Sequence, residues 1–515
     1  MLKNKIIKTI CLTFLLFTGV ANAEDGIEKN NLRDLFINNK SIMYAINIRN
    51  FGAVDLNNDG IIDKYAGEKR GTFINAVNKL DEIKSMGFNT IYLLPITKTG
   101  KLKALGTAGS LYAMDSFNTV NPQFDEPDND LNVFDEAKIF IEEAHKKGLK
   151  IIIDMPCAGS YDFSLQNKEL FLRDQNGQTI VPSDWTDIRL FKIYNGKSLN
   201  KDVLDGYKSF IDMTQELGAD GIRADVAGIK PKEFWSELIK YARVKDSQFL
   251  FLAEASPSWT NPTKAQNFYT SVKDLLDAGF DGYYGEYGLV KNINKAKDLN
   301  KILKKERKIL KKFNYNKSTI SSFVTHDEQS PTLNGTKGRS EMYTWLSVTL
   351  PVNPYFLDGI PTGDDFNHSY TNQKALYSET DDEYYFVHKG KMDIFNFSKA
   401  PGGKYNDLYE DVKKAIHFKN WTDKIIKNPN FNILKTSNPN TFAYTKNNKQ
   451  DFIIVIGNLS NKETIKTKVK LKNIKNKATI ILIKSDTEPD FKTKNLTTTL
   501  KPSEIQVYLI SNKKR

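Results

Sequence analysis

Apolar residues along the chain gather in short unbroken runs separated by stretches with helical spacing. The runs are SIMYAINI (41–48), NTIYLLPI (89–96), LKIIIDMP (149–156), DGIRADV (220–226), QFLFLAEA (248–255), FDGYYGE (280–286), STISSFVTHD (318–327) and VNPYFLDG (352–359). A strand with one face in water alternates apolar and polar positions; an unbroken run means burial on both faces, as in a parallel sheet covered by helices. Phe73, Val77, Leu80 and Ile83 fall on one helical face before the second run, and residues 134–147 predict the helix before the third. Strand–helix units in this number predict an α/β fold, a closed (β/α)8 TIM barrel.

From about residue 420 the pattern changes. TFAYTK, DFIIVIGNLS, TIKTKVKLKN, ATIILIK and EIQVYLIS are short runs, several alternating, joined by Asn/Lys turns. They predict a C-terminal antiparallel β-sandwich over 420–515. The barrel is expected over 24–419, with a loop insertion at 157–200 after strand 3.

Residues 1–23 read differently again. Lysines precede an apolar run that ends in Ala21-Asn22-Ala23, the pattern of a signal peptide and its cleavage site. The run is too short to span a bilayer, and no later stretch is apolar enough. The expectation is an exported protein, periplasmic or extracellular, with no stable membrane insertion. Cys11 leaves with the signal, and the remaining Cys157 excludes an intramolecular disulfide scaffold. The net charge of +12 comes mostly from dispersed lysines, with no nucleic-acid signature. No GxxxxGK[ST], HExxH, CxxC or GxSxG motif is present.

Charges collect at the strand ends: Asp154 at the third, Arg223 and Asp225 at the fourth, Glu254 at the fifth, His326 and Asp327 at the seventh. A barrel brings them to one mouth. Carboxylates crowded there repel and desolvate one another unless they share a task. Glycoside hydrolysis is such a task, since it needs one ionised carboxylate and one protonated carboxyl. Arg223 favours the charged form of Asp225, and neighbouring carboxylates favour the protonated form of Glu254. The long segments 97–131 and 157–200 lie at the same face. The second carries PSDWTDIRLF (182–191), where Trp185 is a candidate sugar contact.

DLNNDGIID (55–63) places oxygen donors at positions 1, 3, 5 and 9 around Gly60, a spacing that suits a structural Ca²⁺. Asp55, Asn57, Asp59 and Asp63 would bind by side chain and Ile61 by its carbonyl. Ala66 stands where an EF-hand closes with glutamate.

DGIRAD, FLAEAS and FVTHD together resemble the signature blocks of the α-amylase family, glycoside hydrolase family 13. The resemblance covers roughly 41–395 and implies a retaining enzyme acting on α-glucans or maltooligosaccharides. It implies Asp225 as nucleophile, Glu254 as general acid/base and Asp327 as the carboxylate that grips sugar hydroxyls. It also implies that Arg223, His326 and Asp154 line the subsite and that Tyr112 stacks on the sugar. Family members often carry a metal in a loop like 55–63. One block diverges: DMPCAG (154–159) keeps Asp154 but has Ala158 and Gly159 where the family has Asn and His. Similar divergence occurs in maltosyl-transferring members, so transfer stands beside hydrolysis. A non-catalytic carbohydrate-binding role on an amylase scaffold is the third reading. Linkage, chain length and oligomeric state stay open.

Overall fold

The computed structural model describes residues 6–7, 30–54, 56, 66–104, 110–127, 129–182, 185–263, 268–328, 330–334, 336–363, 405–472, 474–475, 478–485, 487–492 and 494–512. Within the expected signal segment only Ile6–Ile7 is described, as a short strand beside the C-terminal sheet. The expected calcium ligands Asp55, Asn57, Asp59, Ile61 and Asp63 lie outside the described residues.

Eight strands form one parallel sheet: β1 Met43–Ile46, β2 Thr90–Leu93, β3 Lys150–Met155, β4 Gly221–Ala224, β5 Leu250–Ala253, β6 Gly282–Tyr283, β7 Ser318–Thr319 and β8 Tyr355–Leu357. The order is β7-β6-β5-β4-β3-β2-β1-β8. A parallel bridge between Ile320 and Asn353 joins the two ends, with Asn353 N–H donating to Thr319 O and Ser321 N–H to Asn353 O, both at 2.9 Å. The sheet is therefore a closed barrel. Strands β1 to β5 are buried at every position, which is why their sequences read as continuous apolar runs.

Helices α1 Val133–Lys146, α2 Lys201–Glu216, α3 Lys232–Lys245, α4 Val272–Ala278, α5 Ala296–Lys312 and α6 Lys337–Thr349 flank the barrel strands along the chain. Asn132 and Asn200 cap α1 and α2 by accepting first-turn N–H groups, so the chain enters each helix at a fixed point.

Two details differ from the sequence reading. The helix expected through Phe73 and Ile83 is two short ones, Phe73–Val77 and Leu80–Ser85. Thr72 caps the first, the poor helix former Asn78 ends it, and Ala76 rather than Val77 takes the core position. The seventh strand stops at Thr319 instead of reaching Asp327. Beyond it the Ser321 hydroxyl accepts the Tyr355 N–H and the Ser322 hydroxyl donates to Tyr284 O. These side-chain bonds replace the ladder and free the next residues to turn across the mouth.

The insertion after β3 is fastened by aromatics. Phe117, Phe163, Phe171, Phe191 and Tyr207 pack edge-to-face and offset, with the Phe171–Phe191 centroids 4.7 Å apart. Residues Gly159–Ser160 pair antiparallel with Ile188–Arg189.

The C-terminal strands form a sandwich of a five-stranded sheet, with Ile6–Ile7 added at its edge, and a three-stranded sheet. Its central strand β9, Asp451–Asn458, is buried throughout. Phe452, Ile454 and Ile456 face the sandwich core, while Ile453 and Val455 join the barrel's core. One sheet thus has two dry faces, which accounts for the unbroken DFIIVIG. Helix α7, Asn406–Ile425, packs against α6 and runs across position 419/420, and the first strand after it begins at Asn430.

Candidate active site

Arg223 is the centre of the barrel mouth. It lies within β4, fully buried, in register with Asp154 on β3 and Leu252 on β5. Its Nη1 donates to Asp154 Oδ1 and Oδ2 at 2.7 and 2.9 Å and to Asp225 Oδ1 at 3.1 Å. Its Nη2 lies 3.0 Å from Glu254 Oε2, and its Nε donates to the Tyr284 hydroxyl at 3.1 Å. A planar fork of donors can hold carboxylates on several sides at once, which an ammonium cannot do as rigidly. Burying an arginine costs desolvation, which pairing with the carboxylates offsets, and here the partners are aligned by neighbouring strands.

Asp225 and Glu254 each stand one residue past a strand end, on β4 and β5. Asp225 has Arg223 on Oδ1 and the Cys157 N–H on Oδ2, the latter at 2.9 Å. Its side chain is 10% exposed and that of Glu254 is 8%, so both are held by protein yet reach the mouth. Glu254 Oε2 accepts the Val226 N–H at 2.7 Å. Burial pushes the Glu254 carboxyl well above the usual glutamate range; Arg223 pulls it down, while Asp225 and Asp327 push it further up. Burial is thus the main cause, ahead of the carboxylate crowding inferred from sequence. Burial thus favours the protonated form of Glu254, the form a general acid in glycosidic cleavage needs.

Asp154 and Arg223 were expected to line the sugar subsite, and the structure places both beneath it. Neither side chain is exposed. Asp154 is consumed by Arg223 and by the hydroxyls of Tyr92 (2.5 Å) and Tyr112 (2.6 Å). Burial raises the Asp154 carboxyl to about 6, against the pull of Arg223. These residues organise the floor.

Tyr112 and His326 stack with centroids 5.5 Å apart and 15° between planes, and the Tyr112 hydroxyl meets His326 Nε2 at 2.7 Å. Tyr112 is 9% exposed, so its ring edge borders the site while its hydroxyl is spent on the floor. Asp327, on the turn after β7, is the open carboxylate of the group, 46% exposed.

An open groove begins at Glu254 and Asp327 and runs along Ser256, Trp259, Glu286 and Lys291. Trp185 does not line it. That ring packs on the small cluster of Cys157, Ala158 and Ile188 instead. The exposed aromatic of the groove is Trp259, which sequence reasoning passed over because it lies in a polar loop without periodicity. Tyr92 and Tyr284 were also missed, since each sits in an apolar run that reads as core. Among the described residues no group of three His, Cys, Asp or Glu is set to hold a metal ion.

Residues 49–169 match the family model for the α-amylase catalytic domain. Solved structures agree over nearly the whole chain. A maltogenic α-amylase of Thermotoga neapolitana superposes with a TM-score of 0.68 at 18% identity, covering 94% of this chain and 100% of that one. Residues 49–169 thus resemble that catalytic domain, and the fold is that of the solved α-amylases. An α-amylase of Lactobacillus plantarum gives a TM-score of 0.66 at 18% identity, covering 92% and 99%. Among curated sequences, a maltose-1-phosphate maltosyltransferase of Mycolicibacterium smegmatis is 29% identical over 223 residues, 39% of this chain and 30% of that protein. The α-amylase MalA of Haloarcula japonica is 24% identical over 229 residues, 42% of this chain and 30% of that protein. The chain spans about a third of the length of the curated relatives it matches.

Proposed function

We propose that this is an exported glycoside hydrolase that cleaves α-glucosidic bonds of α-glucans or maltooligosaccharides with retention. The observation that carries the reading is Arg223 bridging Asp225 and Glu254 at the barrel mouth, where burial raises the Glu254 carboxyl. Asp225 attacks the anomeric carbon. Glu254 gives its proton to the leaving oxygen and then takes one from the incoming acceptor. Asp327, exposed at the edge, binds sugar hydroxyls. Tyr112 and His326 form the wall beside the attacked ring. The charge that develops on the sugar meets carboxylates already fixed in place, so little reorganisation is needed.

The acceptor decides between hydrolysis and transfer. Water gives a hydrolase, a sugar hydroxyl a transferase. The groove beside Glu254, lined by Trp259, favours keeping transfer as the second reading, because it offers a second sugar a place on the acid's side. Incubation with maltoheptaose separates the two: shorter products alone mean hydrolysis, and products longer than the substrate mean transfer. No turnover on any α-glucan would favour the binding-protein reading.

For the loop at 55–63 we propose a structural Ca²⁺. Its donors are hard oxygens, as Ca²⁺ prefers, and the described flanks come together through the Val54–Lys69 bridge and the Leu56 N–H bond to Glu68 Oε1. Its contribution would be to fix the loop, with no part in the chemistry.

A further inference from the structure

A layer of hydrogen bonds lies behind the carboxylates, built on the segment that leaves β3. The peptide between Pro156 and Cys157 is bonded at both ends. Its N–H donates to Asp225 Oδ2 at 2.9 Å, and its C=O accepts from the Tyr207 hydroxyl at 2.9 Å. The next carbonyl, of Cys157, accepts from Lys230 Nζ at 2.9 Å. The preceding one, of Met155, accepts from the Asp225 backbone N–H at 3.1 Å. Three successive carbonyls, Met155, Pro156 and Cys157, are therefore pinned from outside the segment.

The anchors come from distant parts of the chain. Tyr207 projects from α2 and is fully buried; Lys230 follows the turn Ala227–Ile229 and is 1% exposed. The Lys230 ammonium sits 4.6 Å from the Tyr207 ring centre and 5.7 Å from that of Trp235. Burying an amine is expensive, and a carbonyl and two ring faces are modest compensation for a purely structural role. Desolvation accordingly lowers Lys230 to about 8, while the Asp225 charge raises it.

We propose that Tyr207 and Lys230 are positioning residues for Asp225, holding the Pro156–Cys157 peptide as a fixed donor to the nucleophile. The proposal rests on the reading of Asp225 as nucleophile. A carboxylate that must attack along one line gains from having its non-attacking contacts set in advance. A peptide whose C=O already accepts a bond is polarised and donates more strongly through its N–H. Arg223 fixes one oxygen of Asp225, and this clamp fixes the other. It occupies the stretch DMPCAG, where the chain departs from the α-amylase pattern.

The test uses Tyr207→Phe, which deletes one hydroxyl and keeps the ring, and Lys230→Met, which keeps the stem. Both are assayed on maltoheptaose and on α-maltosyl fluoride, whose fluoride leaves without a proton from Glu254. The proposal expects kcat to fall about threefold to tenfold on both substrates in each variant, the range set by one lost hydrogen bond, with KM unchanged. Wild-type kcat on the fluoride in Tyr207→Phe would overturn it. So would a loss shared between kcat and KM in Lys230→Met that tracks a fall in melting temperature. Asp225→Asn run alongside separates the two failures: if that variant turns over the fluoride as wild type does, the nucleophile assignment itself is wrong.

Discussion

The Val226 N–H donates to Glu254 Oε2 at 2.7 Å, which ties the residue after Asp225 directly to the neighbouring carboxyl. Ala227 N–H adds a bond to the Glu254 carbonyl at 3.2 Å. Val226 adopts φ 37° and ψ 52°, a left-handed conformation that a β-branched residue avoids. The strain, about 1–3 kcal/mol, is what turns the amide towards Glu254.

Val226→Gly should therefore cost little stability despite losing a half-buried side chain. Relief of strain offsets the lost packing, and the melting temperature should stay within a few degrees of wild type. Activity should fall, because glycine lets the amide leave Glu254. Thermal unfolding and kcat on maltoheptaose check both halves. A large drop in melting temperature would show that Val226 packing matters more than its backbone.

Glu254→Gln should lower kcat on maltoheptaose by about 10²–10⁴, the usual size of a general-acid contribution. The loss should be much smaller on α-maltosyl fluoride. In wild type the carboxyl is raised by burial, so its acid form persists well above the usual glutamate range. Activity should fall as pH rises through that raised value, and this alkaline limb should be absent in the glutamine variant. A pH profile of kcat/KM on both proteins measures it.

Glu306 offers a stability test away from the chemistry. It is 1% exposed on α5, accepts from the Tyr283 hydroxyl and the Glu286 N–H, and is raised by burial to about 7. The folded state holds its proton more tightly than the unfolded state. Its stabilising contribution is complete below the ordinary value of 4.5 and is lost as pH rises to about 7. The melting temperature of wild type should fall more than that of Glu306→Gln across this window. Parallel curves would contradict the assignment.

Trp259 is 44% exposed on the groove wall. Trp259→Ala should raise KM for maltoheptaose several-fold with a smaller effect on kcat, as expected for loss of one ring-stacking contact. Trp185→Ala should leave KM unchanged, since that ring packs on the cluster of Cys157, Ala158 and Ile188 and does not line the groove. Steady-state kinetics on the two variants decide which tryptophan meets the sugar.

The barrel was legible because strands buried on both faces leave unbroken apolar runs, and Asp225 and Glu254 because each charge closes such a run. What stayed hidden depended on contacts across the sheet. Tyr92 reads as one more core residue of IYLL, yet its hydroxyl reaches Asp154 on the next strand. Arg223 and Asp154 could be assigned to the mouth from sequence but not to its floor, because depth is set by register between β3 and β4. Trp185 and Trp259 both sit in irregular loops, and only the folded loops show which one faces the groove. The early end of β7 depends on the Ser321 and Ser322 hydroxyls, whose partners lie 34 and 38 residues away in the chain.

The measurement that reaches the central claim most directly is the anomeric configuration of the first product. Wild-type protein is mixed with maltoheptaose and the new reducing end is followed by proton NMR before mutarotation. The account predicts the α-anomer first, and no product from Asp225→Asn. The β-anomer first, or unchanged turnover in Asp225→Asn, would contradict attack by Asp225.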